Sequence, residues 1–296
     1  MTTFPIYVAQ EAGYFEAAGL DVELRKEPSS PATTALVAGG EVDVSFNAFH
    51  PSYINLIARG TKIRFVAGRE IATPQCGAIM VLYGNAKAFP NGLTDLRELA
   101  GKRLSIPRQG NLGEFSVDSI LGNAGLSTAD MEVSYLREAD AAAALIGGHL
   151  DAMIGSQSQH DISEFRDRVV RGPGLADVLP GFQLSFALFG QRMLEGDPEV
   201  GISFLLAYLK GARDYLHGTS GAYIDAFAAS HHLDPESIRN ACRESLDPTG
   251  RLHPDSFKTF VAWGIRKGYG DAEAADIQPF ETRFIDEAAR RLAAAG

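Results

Sequence analysis

The chain has 296 residues, of which 45% are hydrophobic and 22% are charged. This composition is typical of a globular protein with room for one large or two modest domains. Lys and Arg number 27 against 37 Asp and Glu, a net charge of −10. Nucleic-acid binding needs clustered cationic charge, so this balance argues against nucleic acid as a partner. An anionic ligand is not excluded, because backbone amides at a helix start can hold one.

Cysteine and hydropathy patterns exclude several further classes. The only cysteines, Cys76 and Cys242, form no CxxC pair, so we predict neither a zinc site nor a disulfide framework. The sequence predicts no metal and no cofactor. It has no run of about 18 apolar residues that could span a membrane. Its first five residues lack the basic and apolar regions of a secretory signal, which leaves open a cytoplasmic protein or a signal outside this sequence.

Strands alternate with helices from the start of the chain. Leu20, Val22 and Leu24 alternate with charged residues, and a period of two predicts a strand. Helices are expected to end at glycines, and Pro51 suits the first turn of one. The elements expected next are a helix over 31–38, strands over 42–46 and from 63, a helix over 51–60, and a buried strand over 77–83.

The same alternation continues beyond residue 90. We expect Gly172-Pro173-Gly174 to form a turn. After about residue 195 the chain is mostly helical, with Ile202, Leu205, Leu206 and Leu209 spaced for one helix face. The expected helices are 94–99, 113–124 and 139–146, and the expected strands are 104–106, 133–135 and 152–154.

One internal repeat indicates how the chain is organised. Residues 35–44 and 144–152 each have a helix end, a Gly-Gly pair, an Asp and a strand, and they align if one residue is dropped. This favours two lobes built on one plan. The alternative is that Gly-Gly is simply common chemistry at helix ends.

Strand–helix alternation predicts an α/β fold with mostly parallel sheets and helices on both faces. In such sheets ligands bind beyond the carboxyl ends of the strands. Two loops occupy that position, residues 46–48 in the first lobe and 155–157 in the second. If the lobes face each other, these loops share one cleft.

Four segments carry a resemblance to a known family: residues 5–15 with 19–22, 36–43, 95–107 with Gly110, and 144–152. They resemble the NMT1/THI5-like group of periplasmic substrate-binding proteins, which serve ABC importers for sulfonates, taurine, nitrate or pyrimidine precursors. The strand that normally opens this group has no counterpart in the sequence.

The resemblance implies a two-lobed, periplasmic-binding-protein-like (type II) fold with a helical C-terminal region. Lobe I would comprise residues 1–84 and 188–296, and lobe II residues 85–187, with the ligand in the cleft between them. Binding would close the lobes by hinge bending. An ABC permease and its ATPase would be partners of a monomeric protein that is periplasmic or lipid-anchored outside the cell.

Three short segments supply the expected ligand-binding residues. Aromatic and amide groups after the first-lobe strand suit a planar heterocycle, although Tyr53 is expected only to pack. The backbone amides just before the helix that begins at 113 are suited to binding an anion. The alternative is an ordinary strand-to-helix turn that Asn111 caps. Residues 155–157 supply hydroxyl and amide groups, or form a solvated loop. The candidates are Phe46, Asn47, Ala48 and His50; Gly110, Asn111 and Leu112; and Gly155, Ser156 and Gln157.

The sequence therefore predicts a solute-binding protein, not an enzyme, for a small anionic or planar heterocyclic ligand. The alternative is an enzyme on the same scaffold, similar to pyrimidine synthases, desulfinases or decarboxylases, with Cys76 as nucleophile and His50 as base. The cysteine-rich run typical of the pyrimidine synthases is absent. A third option is a cytoplasmic sensor domain without an importer.

Overall fold

The computed structural model describes residues 4–27, 30–74, 80–156, 163–231, 234–240, 243 and 245–294. None of the helices in these ranges is long and apolar enough to cross a membrane. The strands are β1 Val44–Ala48, β2 Arg64–Gly68, β3 Val81–Asn85, β4 Arg103–Ile106, β5 Glu132–Tyr135, β6 Ala152–Gly155, β7 Val169–Gly174 and β8 Ser185–Phe189. The helices are α1 Phe4–Glu11, α2 Tyr14–Ala17, α3 Ser30–Ala38, α4 Pro51–Ala58, α5 Leu112–Gly122, α6 Glu138–Ile146, α7 Ser163–Arg166, α8 Leu175–Val178, α9 Gln191–Glu195, α10 Pro198–Leu216, α11 Ile224–His231, α12 Pro235–Arg239, α13 Pro254–Arg266 and α14 Arg283–Ala294.

The chain divides into two compact α/β units. Unit 1 comprises Met1–Ile71 and Gln183–Gly296, and unit 2 comprises Ala72–Phe182. The two chain segments that connect them are paired, since Ile71 and Gln183 form an antiparallel bridge and the Ala72 amide donates to the Phe182 carbonyl at 2.7 Å. The α/β fold class expected from the sequence is confirmed.

The sheet of unit 1 has β8 at its centre. Strand β8 is antiparallel to β1 on one side and to β2 on the other, so β1 and β2 run in the same direction without pairing. The expectation of a mostly parallel sheet is therefore wrong here, because a strand from the second chain segment separates the two parallel ones.

Aromatic packing and one long helix form the core of unit 1. The rings of Phe65 and Phe186 lie 4.2 Å apart between centroids, and Phe49 contacts Phe186 at 4.8 Å. Helix α10 packs against α1 and α14, and Leu205 and Leu209 are fully buried as their spacing predicted. Burial of these side chains supplies the main stabilisation of the unit.

Unit 2 contains a five-stranded mixed sheet in the order β5-β4-β6-β3-β7. Strands β5, β4 and β6 are parallel, while β3 is antiparallel to β6 and β7. Helix α5 leads from β4 to β5, and α6 then leads back across β4 to β6. The carboxyl end of β4 is thus the point where the strand order reverses, which is where α/β sheets form ligand crevices.

Two local predictions were wrong, and both concern strand pairing. Residues 20–24 form no strand, although Leu20 and Val22 do pack against the core of unit 1. Alternation reports which side chains are buried, but a strand also needs a backbone partner, and this segment has none among the described residues. Residues 172–174 are not a turn but the end of β7, an edge strand, where a proline is tolerated.

The internal repeat has the same backbone geometry in both copies. Gly40 and Gly148 adopt left-handed φ angles of 75° and 78°. In each copy the following amide donates to the carbonyl five residues earlier at 2.9 Å, which is a Schellman motif. Each copy also contains an ion pair at its Asp: Asp43 binds Arg192 and Asp151 binds Arg103, each at 2.8 Å.

We expect Gly211→Ala to destabilise the protein, because helices α1 and α10 touch at this residue. A Cβ at position 211 would lie 2.4 Å from the Pro5 carbonyl oxygen and 2.7 Å from the Ala9 nitrogen. Overpacking of this kind costs about 1–3 kcal/mol and should outweigh the gain in helix propensity. Urea denaturation measures it. The control is Gly264→Ala in α13, where a Cβ meets nothing within 4 Å; equal effects would contradict the expectation.

Asp151 makes the free energy of unfolding depend on pH. Hydrogen bonds from Arg103 lower the pKa of the Asp151 carboxyl, so the folded pKa lies below the unfolded one. The stabilisation is present above the unfolded pKa and is lost as the pH falls through the folded pKa. We expect Asp151→Asn to lower the unfolding free energy at neutral pH by about 1–2 kcal/mol. This difference from wild type should disappear in strong acid.

The matched control is Asp43→Asn in the first copy of the repeat. Its side chain is 50% exposed and that of Arg192 is 63% exposed, so the loss should be smaller. Unfolding free energies measured between neutral and acid pH test both variants. A difference between wild type and Asp151→Asn that grows as the pH falls would refute this assignment.

Candidate functional site

The first group of candidate residues lies at the carboxyl end of β1 in unit 1. Asn47 is 6% exposed, and its Nδ2 donates to Ser45 Oγ at 2.9 Å. Phe46 lies on the opposite face of the strand and is half-buried. Its ring packs against Tyr208 of α10, with 5.2 Å between centroids. The strand thus presents an aromatic face on one side and a buried amide on the other.

His50 caps helix α4. Its Nδ1 accepts a hydrogen bond from the Ser52 amide at 3.1 Å. Because a backbone N–H can only donate, the neutral imidazole must carry its proton on Nε2. A general base needs an unprotonated nitrogen, and the one that His50 has in this tautomer, Nδ1, already accepts from the Ser52 amide. Tyr53 packs as expected: it is fully buried, its hydroxyl donates to the Ala48 carbonyl, and burial raises its pKa.

The second group lies between β4 and α5 in unit 2. Gly110 has a φ of 70°, and its amide donates to the Glu114 carboxylate at 2.7 Å. In return, Asn111 caps the helix by accepting from the Glu114 amide at 3.2 Å, and Leu112 is buried. The capping interpretation of Asn111 is confirmed. The Gly110 amide is already taken by an internal carboxylate, so it is not available to an anionic ligand in this arrangement.

The third group follows β6. Both the amide and the hydroxyl of Ser156 donate to Glu138 Oε1 at 2.6 Å, and the Tyr83 hydroxyl donates to the Ser156 carbonyl at 3.2 Å. Gly155 leaves room for this carboxylate, because a Cβ at position 155 would lie 3.2 Å from the same Glu138 oxygen. Gln157 and Cys76 lie outside the described residues.

The structure brings the second and third groups to one edge of the sheet in unit 2. Strands β4 and β6 are adjacent and parallel, so their carboxyl ends, and the loops that follow, lie side by side. Tyr135 ends the neighbouring strand β5 opposite Ile106 and is 46% exposed. This edge therefore combines an exposed aromatic ring with loops whose conformations are fixed by carboxylates.

Sequence reasoning missed Glu114, Glu138 and Tyr135. The spacing of Asn111 and Glu114 is a helix-capping signature and could have revealed the first carboxylate. No local pattern links Glu138 to Ser156, which lies 18 residues further along the chain. Tyr135 was recognised only as part of a strand.

Comparison with known proteins relates most of the chain to one family. The model of the family described as "NMT1/THI5 like" matches residues 2–217. A 4-amino-5-hydroxymethyl-2-methylpyrimidine phosphate synthase of Schizosaccharomyces pombe is 30% identical over 175 residues, covering 59% of this chain. The aligned part is 47% of the yeast protein, so the chain spans about half the length of this relative.

Two solved structures share the fold. A protein of Methylobacillus flagellatus, named as a periplasmic sulfonate-binding protein, superposes with a TM-score of 0.77 at 17% identity, covering 99% of this chain and 90% of its own. The periplasmic aliphatic sulphonate binding protein of Escherichia coli gives 0.75 at 16%, covering 95% and 91%. The expected periplasmic-binding-protein fold is confirmed.

We expect Glu114→Ala to destabilise the protein, because the buried Gly110 amide loses its acceptor. An unsatisfied buried donor costs about 1–3 kcal/mol. Glu114→Gln keeps an acceptor oxygen and should cost less. Chemical denaturation compares both with Glu98→Ala, an exposed residue whose replacement should change stability by less than about 0.5 kcal/mol. If Glu114→Ala behaves like Glu98→Ala, the carboxylate does not hold this loop.

Proposed function

The chain belongs to the NMT1/THI5-like family, and we propose on that basis that it is a solute-binding protein that captures a small molecule for an ABC importer. In this proposal the ligand binds at loops that follow the strands, and closure of the two predicted lobes shields it from water. A membrane permease and its ATPase receive the ligand. The protein acts as a monomer in the periplasm or anchored outside the cell.

The observation that carries this proposal is the placement of the loops in unit 2. The residues after β4 and β6 lie where the strand order reverses, the usual ligand crevice of such sheets. In unit 1 the residues after β1 occupy the carboxyl end of their strand as well. Family membership and the shared fold of sulfonate-binding structures support the same reading.

The side chains at these strand ends suit a planar heterocyclic ligand. Phe46 and Tyr135 offer aromatic faces, which stack on flat rings. We propose that the ligand-binding residues are Phe46, Asn47, Ala48, His50, Gly110, Asn111, Leu112, Gly155, Ser156 and Gln157.

Catalysis is the second candidate, and the names of the sequence relatives favour it. The fission-yeast relative is named as a pyrimidine phosphate synthase. In this alternative Cys76 is the nucleophile and His50 its base. The hydrogen bond from Ser52 to His50 Nδ1 places the imidazole proton on Nε2, which does not favour that role. Ligand-protected alkylation of Cys76 together with conversion of the ligand would support catalysis over binding.

We expect native mass spectrometry of the purified protein to show a bound small molecule that is released unchanged. Sulfonates, nitrate, pyrimidines and aromatic acids should be screened by thermal shift, since a ligand of the folded state raises the melting temperature. Gly110→Ala should weaken binding by about tenfold or more, equivalent to about 1.4 kcal/mol. Absence of any thermal shift across the screen would contradict the proposal.

The matched control is Gly101→Ala. Gly101 has a left-handed φ of 71° and a Cβ there meets nothing within 4 Å, so it carries a comparable backbone strain. It precedes β4 and lies away from the carboxyl end of the strand. Equal losses of affinity in both variants would show that the crevice is wrongly placed.

A further inference from the structure

Arg69 places a guanidinium group inside unit 1, directly after β2. The residue is 1% exposed. Its Nε donates to the Tyr208 hydroxyl at 3.2 Å, but its Nη2 is buried and has no hydrogen-bond partner in the described part of the chain. Buried polar groups in folded proteins are almost always paired, so this nitrogen calls for an explanation.

The charge of Arg69 is not balanced by a direct ion pair in the described part of the chain. Glu70 follows Arg69 in the chain, but its Oε2 accepts from Ser185 Oγ at 2.8 Å. Among the described residues Arg69 forms no ion pair with any Asp or Glu. Burial of a charge without a partner is unfavourable. Arg69 is therefore a costly group in a buried position that an apolar side chain could fill.

The guanidinium is held in one orientation. Its Cζ lies 4.5 Å from the centroid of the Phe46 ring and 5.9 Å from that of Tyr208. The backbone is fixed as well, since the Arg69 amide donates to the Ser185 carbonyl at 3.0 Å and the Arg69 carbonyl accepts from the Asp247 amide at 2.6 Å. These contacts pre-orient the guanidinium, and because Nη2 is buried, a partner reaches it only where neighbouring groups move aside.

Arg69 lies at the same sheet edge as the candidate residues of unit 1. Ala48 pairs with Ser185 of β8, and Arg69 hydrogen-bonds to that same residue from the other side. The aromatic ring stacked on the guanidinium is Phe46, itself a candidate. Arg69 therefore lies at the carboxyl ends of β1 and β2, the edge at which α/β sheets bind ligands.

Two backbone amides that the sequence suggested for anion binding in unit 2 are already paired. The amides of Gly110 and Ser156 donate to the carboxylates of Glu114 and Glu138. An anionic ligand group placed there would meet carboxylates instead of free donors. An unpaired cationic donor is found at Arg69 instead.

We propose that Arg69 binds the anionic group of the ligand, a carboxylate, sulfonate or phosphate, through Nη2. This assignment rests on the proposed binding function and adds the class of ligand and the residue that selects it. The planar guanidinium matches the arrangement of oxygens in such groups. Phe46 and Tyr208 orient it.

The test compares Arg69→Met with Arg192→Met. Arg192 is an exposed arginine paired with Asp43, so its loss should leave ligand binding unchanged. The probes are nicotinate with its uncharged counterpart nicotinamide, methanesulfonate and inorganic phosphate, measured by calorimetry at constant ionic strength. We expect at least one anionic probe to bind wild type more tightly than nicotinamide does, and Arg69→Met to weaken that binding by about tenfold or more.

The melting temperature of the ligand-free variant is a second readout. A purely structural role for Arg69 predicts the opposite change in it. Met fills a similar volume without a charge, so ligand-free Arg69→Met should melt at the same temperature as wild type or higher. A purely structural arginine would lower the melting temperature on replacement. Unchanged anion affinity in Arg69→Met, or anionic probes that bind wild type no better than nicotinamide, would overturn the proposal.

A diffraction measurement on the wild type covers the case in which the variant does not fold. Crystals grown in bromide should show an anomalous peak within hydrogen-bonding distance of Arg69 Nη2, and a peak missing at that position would overturn the proposal. A ligand that co-purifies with the protein and has no acidic group would also overturn it. That last result would leave the proposed solute-binding function intact.

Discussion

A left-handed glycine after one helix in each unit sets the direction in which the chain enters a strand. Only glycine adopts this backbone conformation at little cost. Gly40 and Gly148 turn the chain so that an Asp and then β1 or β6 follow. The far ends of these strands carry candidate ligand residues. The position of the site in each unit therefore depends on a helix end at the opposite edge of the sheet.

The polar groups at the strand ends are paired with one another before any ligand arrives. Glu114 holds the loop after β4, Glu138 holds the loop after β6, and Ser45 holds the Asn47 amide. Loops fixed in this way lose little conformational freedom on binding, which favours affinity. The same pairing uses up donors that the sequence alone suggested were available. Arg69 Nη2 is buried without a hydrogen-bond partner among the described residues, and its proposed role gives the site a preference for anionic groups.

Features that depend on neighbouring residues were predictable from the sequence, and features that depend on distant ones were not. The Gly-Gly helix ends, the Asn111 cap and the buried face of α10 all follow from local spacing, and the structure contains them. The strand at residues 20–24 failed because a strand needs a partner elsewhere in the chain. Arg69 was missed because its surroundings come from Tyr208, 139 residues away.

The central position of β8 also dictates an order of assembly. Strands β1 and β2 do not pair with each other, and each depends on β8, which is made only after all of unit 2. On a ribosome, the two early strands therefore wait with open edges while the intervening continuous unit folds. Closing this long loop carries an entropic cost. A strand edge left open is prone to pairing with other chains, so rapid folding of the inserted unit protects the nascent protein from aggregation.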